Sequence, residues 1–284
     1  MTTISTTATA APQRRPRALL LWVGIALVSL HLVVGLLTLV WTPYDPTAFS
    51  GGRLEGPSLL HWVGTDRLGR DLWTQLMIGS RIALQVGIGA VAIGAVIGVT
   101  LGLLAAFASK WLDDVLAAAL DILIAFPTLL IAMLVVAASD TASLGSAILA
   151  LGIALSAIVA RLTRILAKRV LVMDYITAAR TSGSSWPKIV LIHILPNILP
   201  TLSVNFALQF GLAVIAEASL SYLGLGAPPP NASWGRLLQE AQATVYTAPI
   251  GAIAPGLALV SLVIGMNLLA DGLRDRADPT RRSR

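Results

Sequence analysis

Two carboxylates stand inside long apolar runs: Asp121 within Val115–Ala137 and Glu217 within Ile198–Tyr222. A charge at the centre of a bilayer costs about 2.5–3.5 kcal/mol on insertion scales, so such residues are candidates for proton or ion relay. Their depth is modest. Asp121 lies about six residues, or ~9 Å, inside one end of its run, and Glu217 about five residues, or ~8 Å, from the end of its own. Each also suits a satisfied structural residue at a helix–helix contact. Asn205 and Gln209 stand four residues apart upstream of Glu217, and the three fan over about 120° of one helix. That gives a polar stripe facing the protein interior, expected here to border a translocation path.

Other chemistries are missing. His31, His61 and His193 are dispersed, with no pair at metal-ligand spacing, and the chain has no cysteine for a thiolate site or nucleophile. It contains no G-x-x-x-x-G-K-[ST] phosphate loop, no G-x-S-x-G elbow and no H-E-x-x-H helix. A membrane-embedded hydrolase therefore has no nucleophile–base or metal pair to use. A proton-coupled secondary transporter using Asp121 and Glu217 is the alternative that these residues leave open.

The elements that must position these residues are membrane spans. Of 284 residues, 56% are hydrophobic and 12% charged, with a mean hydropathy of +0.81; soluble domains carry roughly 25% charged residues. Apolar runs predict six spans, at 19–40, 82–106, 115–137, 144–160 or a little beyond, 198–222 and 249–270. The first is too long for a signal-peptide apolar region, and no small-x-small cleavage site follows it. Together they predict an all-α polytopic membrane domain over 19–270. It carries outer loops at 41–80, which ends in an amphipathic helix, and at 223–247, and an inner loop at 165–195. Tails at 1–18 and 271–284 flank it, the first disordered and both cytoplasmic. This threading puts fifteen of the twenty Lys and Arg residues inside, as the positive-inside rule requires. The net charge of +6 then needs no nucleic acid to explain it.

In the second span Gly94, Gly98 and Gly102 recur every four residues, which predicts close helix packing. The inner loop has a helix–glycine–helix grammar. Asp174 caps a short helix through Ala178, Ala179 and Arg180. Gly183 suits the left-handed stop that ends it. Ser184 or Ser185 then offers a new N-cap, with Pro187 in the first turn. Ala178, Ala179, Ser182 and Gly183 leave little side-chain bulk, so another protein can approach closely.

That loop resembles the "EAA" loop of ABC-importer membrane subunits: Ala178-Ala179, three residues, Gly183, then Leu195-Pro196 at the expected distance. Thr177 stands where the pattern has Glu, and His193 where it has Ile. Upstream, Val63-Gly64-Thr65-Asp66-Arg67-Leu68-Gly69-Arg70-Asp71 and Gly79-Ser80-Arg81 resemble the "LGTDxxGRD…GxR" signature of the dipeptide/oligopeptide/nickel branch. From the residues alone this is a Gly-rich turn fixed by Asp/Arg pairing at the membrane surface. The segment Asp121–Pro127 resembles the same branch. Glu217–Gly226 and Pro228–Gly235 resemble the "EAxLSFLGLG…PP…WG" signature of its C-type subunit.

The resemblance implies a type I importer permease fold in a prokaryotic cytoplasmic membrane. It implies no catalysis and no cofactor in this chain, with ATP and Mg held by partners. Those partners are a B-type sister permease, two ATPase subunits and an external substrate-binding protein, with lipid around them. It assigns Ala178, Ala179, Arg180, Ser182, Gly183 and Pro196 to ATPase coupling, and Gly64, Thr65, Asp66, Gly69, Arg70 and Asp71 to the external signature. The cargo is a dipeptide, an oligopeptide, a nickel complex or another small solute.

Overall fold

The structure, a computed structural model, describes residues 17–139, 143–226, 228 and 231–277. It is all-helical in these residues apart from one isolated bridge, Thr65 to Asp71. The long helices are α1 (Arg17–Leu37), α2 (Leu72–Phe107), α5 (Leu144–Leu171), α8 (Leu195–Tyr222) and α10 (Ile250–Ala277). Shorter ones are α3 (Lys110–Ala125), α4 (Thr128–Ala137), α6 (Asp174–Thr181), α7 (Trp186–Ile189) and α9 (Trp234–Ala241). Five continuous helical stretches are long and apolar enough to cross a bilayer; α3 and α4 make a sixth only as a pair bent by 90°.

That bend corrects the third span. Pro127 has no N–H to donate and restricts Phe126, which is extended at φ −79, ψ 136. The apolar run continues through Phe126-Pro127, so composition alone hid the break. The second span differs too. Gln75, Ser80 and Arg81 interrupt its hydropathy, but α2 runs unbroken through them, and the expected separate amphipathic helix is its first turns. Gln75 and Ser80 are buried, so tertiary partners rather than water satisfy their polar groups. Further on, α5 extends into the expected inner loop, α9 and a 3₁₀ turn (Gln242–Thr244) occupy the 223–247 loop, and α10 carries helix into the expected tail. The rest of both tails lies outside the described residues.

Helix ends follow from local chemistry. Asp71 caps α2, accepting from the Thr74 amide at 2.7 Å. Ser143 and Ser146 form a reciprocal capping box at the start of α5, with bonds of 3.0 and 2.9 Å. A single π turn, Val190–Ile194, precedes α8. Pro196 there cannot donate and would crowd the carbonyl of Ile192; the wider turn eases that crowding.

The core is built on α2 against α5. Gly94, Gly98 and Gly102 lie buried along this contact. A Cβ on Gly98 would sit 2.6 Å from Val159 Cβ, and one on Gly102 2.5 Å from the Ala160 carbonyl. On the opposite side of α2, Ile88, Ala92, Val96, Thr100, Leu104 and Phe107 form an exposed stripe. His31 joins α1 to two other helices: Nδ1 lies 3.2 Å from Ser80 Oγ, and Nε2 2.8 Å from Ser261 Oγ.

Gly98→Val is expected to lower stability by about 1–3 kcal/mol through overpacking, read as a fall in thermal midpoint of the purified protein. Gly256→Ala has nothing within 4 Å of the new methyl. It should leave the midpoint unchanged or raise it, by up to about 1 kcal/mol of helix propensity.

Candidate functional site

Three groups of sequence-selected residues fall at different places. The first builds the loop between α1 and α2. Asp66 is buried and accepts from the amides of Leu68 (2.7 Å) and Arg70 (2.9 Å), from Arg70 Nε (2.6 Å) and from Gln75 Nε2 (3.0 Å). Arg70 reaches on to Glu240 of α9 at 2.8 Å, and Arg236 closes the chain onto the same carboxylate at 2.9 Å. Asp71, besides capping α2, lies 2.9 Å from His61 Nδ1. Thr65 donates to the Gly52 carbonyl at 2.6 Å. Gly64 and Gly69 have φ of +88 and +81, and a Cβ on either would strike a backbone carbonyl, of Glu55 and Gly51 respectively. In the same loop the Thr47 hydroxyl and amide donate to Asp45 and hold its carboxyl below the ordinary range.

The later signature locks into the earlier one. Trp234 Nε1 donates to the Leu76 carbonyl at 3.1 Å, and its ring fills the place where a Gly79 side chain would be. Gly235 is pressed onto the Ala218 backbone. Glu217 is 2% exposed and accepts from the Ser221 hydroxyl at 2.6 Å. Beyond it α8 ends on Gly224 at φ +82, with the Leu225 amide bonded to the Leu220 carbonyl. These signatures are therefore an interlock of α2, α8 and α9 at one end of the bundle.

The second group forms α6 at the other end. Met173 is the N-cap and Asp174 the first helical residue, one position from the expected cap. Gly183 has φ +84; its amide bonds to the Arg180 carbonyl at 2.9 Å, and the Ser184 amide to the Ala179 carbonyl at 3.0 Å. This is a Schellman stop. Ile176 is buried among the ends of α5, α7 and α8, and Ala179 packs beside it. Ala178, Ser182 and Gly183 face outward, and nothing lies within 4 Å of a Cβ placed on Gly183. Arg180 lies over the Trp186 ring at 3.9 Å. Pro196 is exposed in the first turn of α8.

The third group does not assemble. Asp121 is open, paired with Arg161 at 3.2 Å. Asn205 is half-buried, while Gln209 and Glu217 are closed in by the rest of the chain. The stripe thus does not line an open face along its length, because its lower-exposure members pack inward with the core of α8. The Asn205 Oδ1 and Gln209 Oε1 atoms meet no donor among the described residues. A charged ladder that sequence reasoning missed lies beside Asp121: buried Asp113 accepts from Arg164 Nε and Nη2 at 2.5 and 2.9 Å, and pairs with Lys168. Its signal was available, since acidic residues eight apart on α3 face the basic run at the end of α5. Among the described residues, no cluster of three His, Asp or Glu could hold a metal.

Residues 98–283 match the family described as binding-protein-dependent transport system inner membrane component. The chain belongs to that family. It is 36% identical over 263 residues to the dipeptide transport system permease protein DppC of Alkalihalophilus pseudofirmus, covering 92% of this chain and 86% of that one. It is 42% identical over 243 residues to the glutathione transport system permease protein GsiD of Pectobacterium atrosepticum, covering 85% and 80%. The Escherichia coli O157:H7 GsiD is 40% identical over 254 residues, covering 89% and 84%. Among solved structures it resembles an inward-facing MetNI methionine ABC transporter chain. The TM-score is 0.61 at 21% identity, over 73% of this chain and 97% of that one. The architecture is the type I importer permease fold, and the chain is an ABC-importer membrane subunit.

Arg70→Met should leave Asp66 and Glu240 short of partners and cost about 1–3 kcal/mol. The expected readout is faster limited proteolysis between residues 41 and 71, with α6 no more accessible than before.

Proposed function

We propose that this chain is the C-type transmembrane subunit of an ATP-driven importer for short peptides or a peptide-like solute. The cargo reading is supported by the names of its relatives, a dipeptide permease and two glutathione permeases, since glutathione is itself a peptide. Nickel complexes and some other small solutes are the other cargoes that the resemblance allows. The chain works with a B-type sister permease, two ATPase subunits and an external binding protein. ATP and Mg sit in the ATPases, and this chain supplies no cofactor site of its own.

The orientation places both termini and α6 in the cytoplasm, where the Lys and Arg excess lies. The interlocked end carrying Asp66, Arg70 and Glu240 then faces outward, toward the binding protein. The observation that carries the mechanism is the exposed, bulk-free face of α6. Ala178, Ser182 and Gly183 offer a close-approach surface, while Ile176 and Ala179 fix the helix to the bundle. A push on α6 passes directly into α5, which leads into it, and through α7 and the π turn into α8. Closure of the ATPases on ATP tilts these spans and opens the path outward; hydrolysis and release return it inward.

Ala178→Trp adds bulk at an exposed position and should leave the fold intact while abolishing co-purification of the ATPase subunits from native membranes. Retention of those subunits at wild-type yield would show that α6 is not the docking site. For the cargo, excess unlabelled dipeptide or glutathione should suppress uptake of a labelled peptide in cells carrying the complete importer. Suppression by neither would remove the peptide assignment.

A further inference from the structure

Beside α6 lies an open apolar groove of about 630 Å³, between the last turn of α2 and the stretch from α7 into α8. Leu104, Phe107, Trp186, Pro187 and Leu191 line it. We propose that this groove seats an anionic phospholipid of the cytoplasmic leaflet, acyl chain on the apolar walls and phosphate among the cations at its rim. The depth of the groove rests on the orientation proposed above.

Four observations point to lipid. The volume falls in the ~300–1,000 Å³ range of small-molecule sites. Its walls are exposed apolar side chains, with Leu104 60% and Leu191 65% open. The open side continues the outward stripe of α2, which runs through Val96 and Thr100 to Leu104 and Phe107. The level is that of a membrane boundary: α2 ends at Phe107, and exposed Trp111 and Trp186 flank the position where aromatic residues collect at the headgroups.

The rim supplies the charge. Lys188 is exposed, next in sequence to Pro187 of the groove wall. Arg180 is held against Trp186, whose ring also meets the Phe107 ring at 4.9 Å and 72°. Lys110 begins α3 just past the end of α2. Cations near an anionic bilayer surface are worth about 1 kcal/mol each, a factor of about five in binding. Ala178, Ser182 and Gly183 do not line the groove; Arg180 is the one residue that the coupling assignment and the lipid rim share.

The test places the purified importer complex in nanodiscs of phosphatidylcholine doped with a photoactivatable phosphatidylglycerol or, separately, a photoactivatable phosphatidylcholine. Adducts are mapped by peptide mass spectrometry. Phosphatidylglycerol should label residues 103–111 and 186–191 at least about fivefold more than phosphatidylcholine. Lys188→Glu should cut the preference for phosphatidylglycerol at least about fivefold, and Leu191→Trp, which intrudes into the groove, should lower labelling by both while the complex still assembles. Equal labelling of the wild type by both lipids overturns the proposal. So does labelling that avoids these peptides, or a photo-crosslinkable residue at Leu104 that captures a protein subunit instead. Failure of the docking reading would appear separately, as ATPase subunits that stay bound to Ala178→Trp.

Discussion

The close contact of α2 with α5 constrains the rest of the molecule. In a bilayer the hydrophobic effect does not drive helices together, because lipid tails are as apolar as leucine. Association then depends on how near two backbones can come, and Gly98 and Gly102 remove the side chains that would hold them apart. The consequence reaches both ends of α2. At its start Asp71 and Gln75 tie it to the signature loop; at its end Phe107 meets Trp186 beside α6. Because α5 leads directly into α6, one helix pair joins the two ends of the bundle.

The polar signatures are fasteners rather than a reactive site. Asp66, Arg70, Arg236 and Glu240 form a chain of charge-assisted bonds across segments 170 residues apart. Trp234 fills the space over Gly79, and Gly235 lies flat on Ala218. Even Glu217, whose place in an apolar run suggested a relay, is engaged by a hydroxyl one helical turn away. On the proposed docking at α6, the opposite end of the bundle has to be rigid. If α2, α8 and α9 moved independently, a displacement entering at α6 would dissipate before it reached the far side.

Much of this was legible in the sequence because the membrane simplifies the code. Apolar runs give spans, and a lone glycine after Ser182 gives the left-handed stop at α6. The failures share a cause: a polar residue satisfied by a distant partner looks like a boundary. Gln75 and Ser80 read as loop because Asp66 and His31 could not be seen beside them. The polar stripe on α8 read as facing the interior, and Gln209 and Glu217 are indeed buried; periodicity does not say what else covers that face. Pro127 was the opposite case. Its local rule was plain, and the unbroken apolar run outweighed it.

The account stands or falls on α6 as the seat of the ATPase. The chain has no cysteine, so Ala178→Cys creates a unique thiol on the exposed face of α6. In the assembled importer, a short bifunctional thiol reagent should join it to single cysteines introduced on the membrane-facing surface of an ATPase subunit, in a yield that changes with nucleotide. A matched thiol at Leu59, at the opposite end, should give no such product. Cross-linking from Leu59 instead, or none from Ala178 with any ATPase cysteine in a complex that still hydrolyses ATP, would contradict the account.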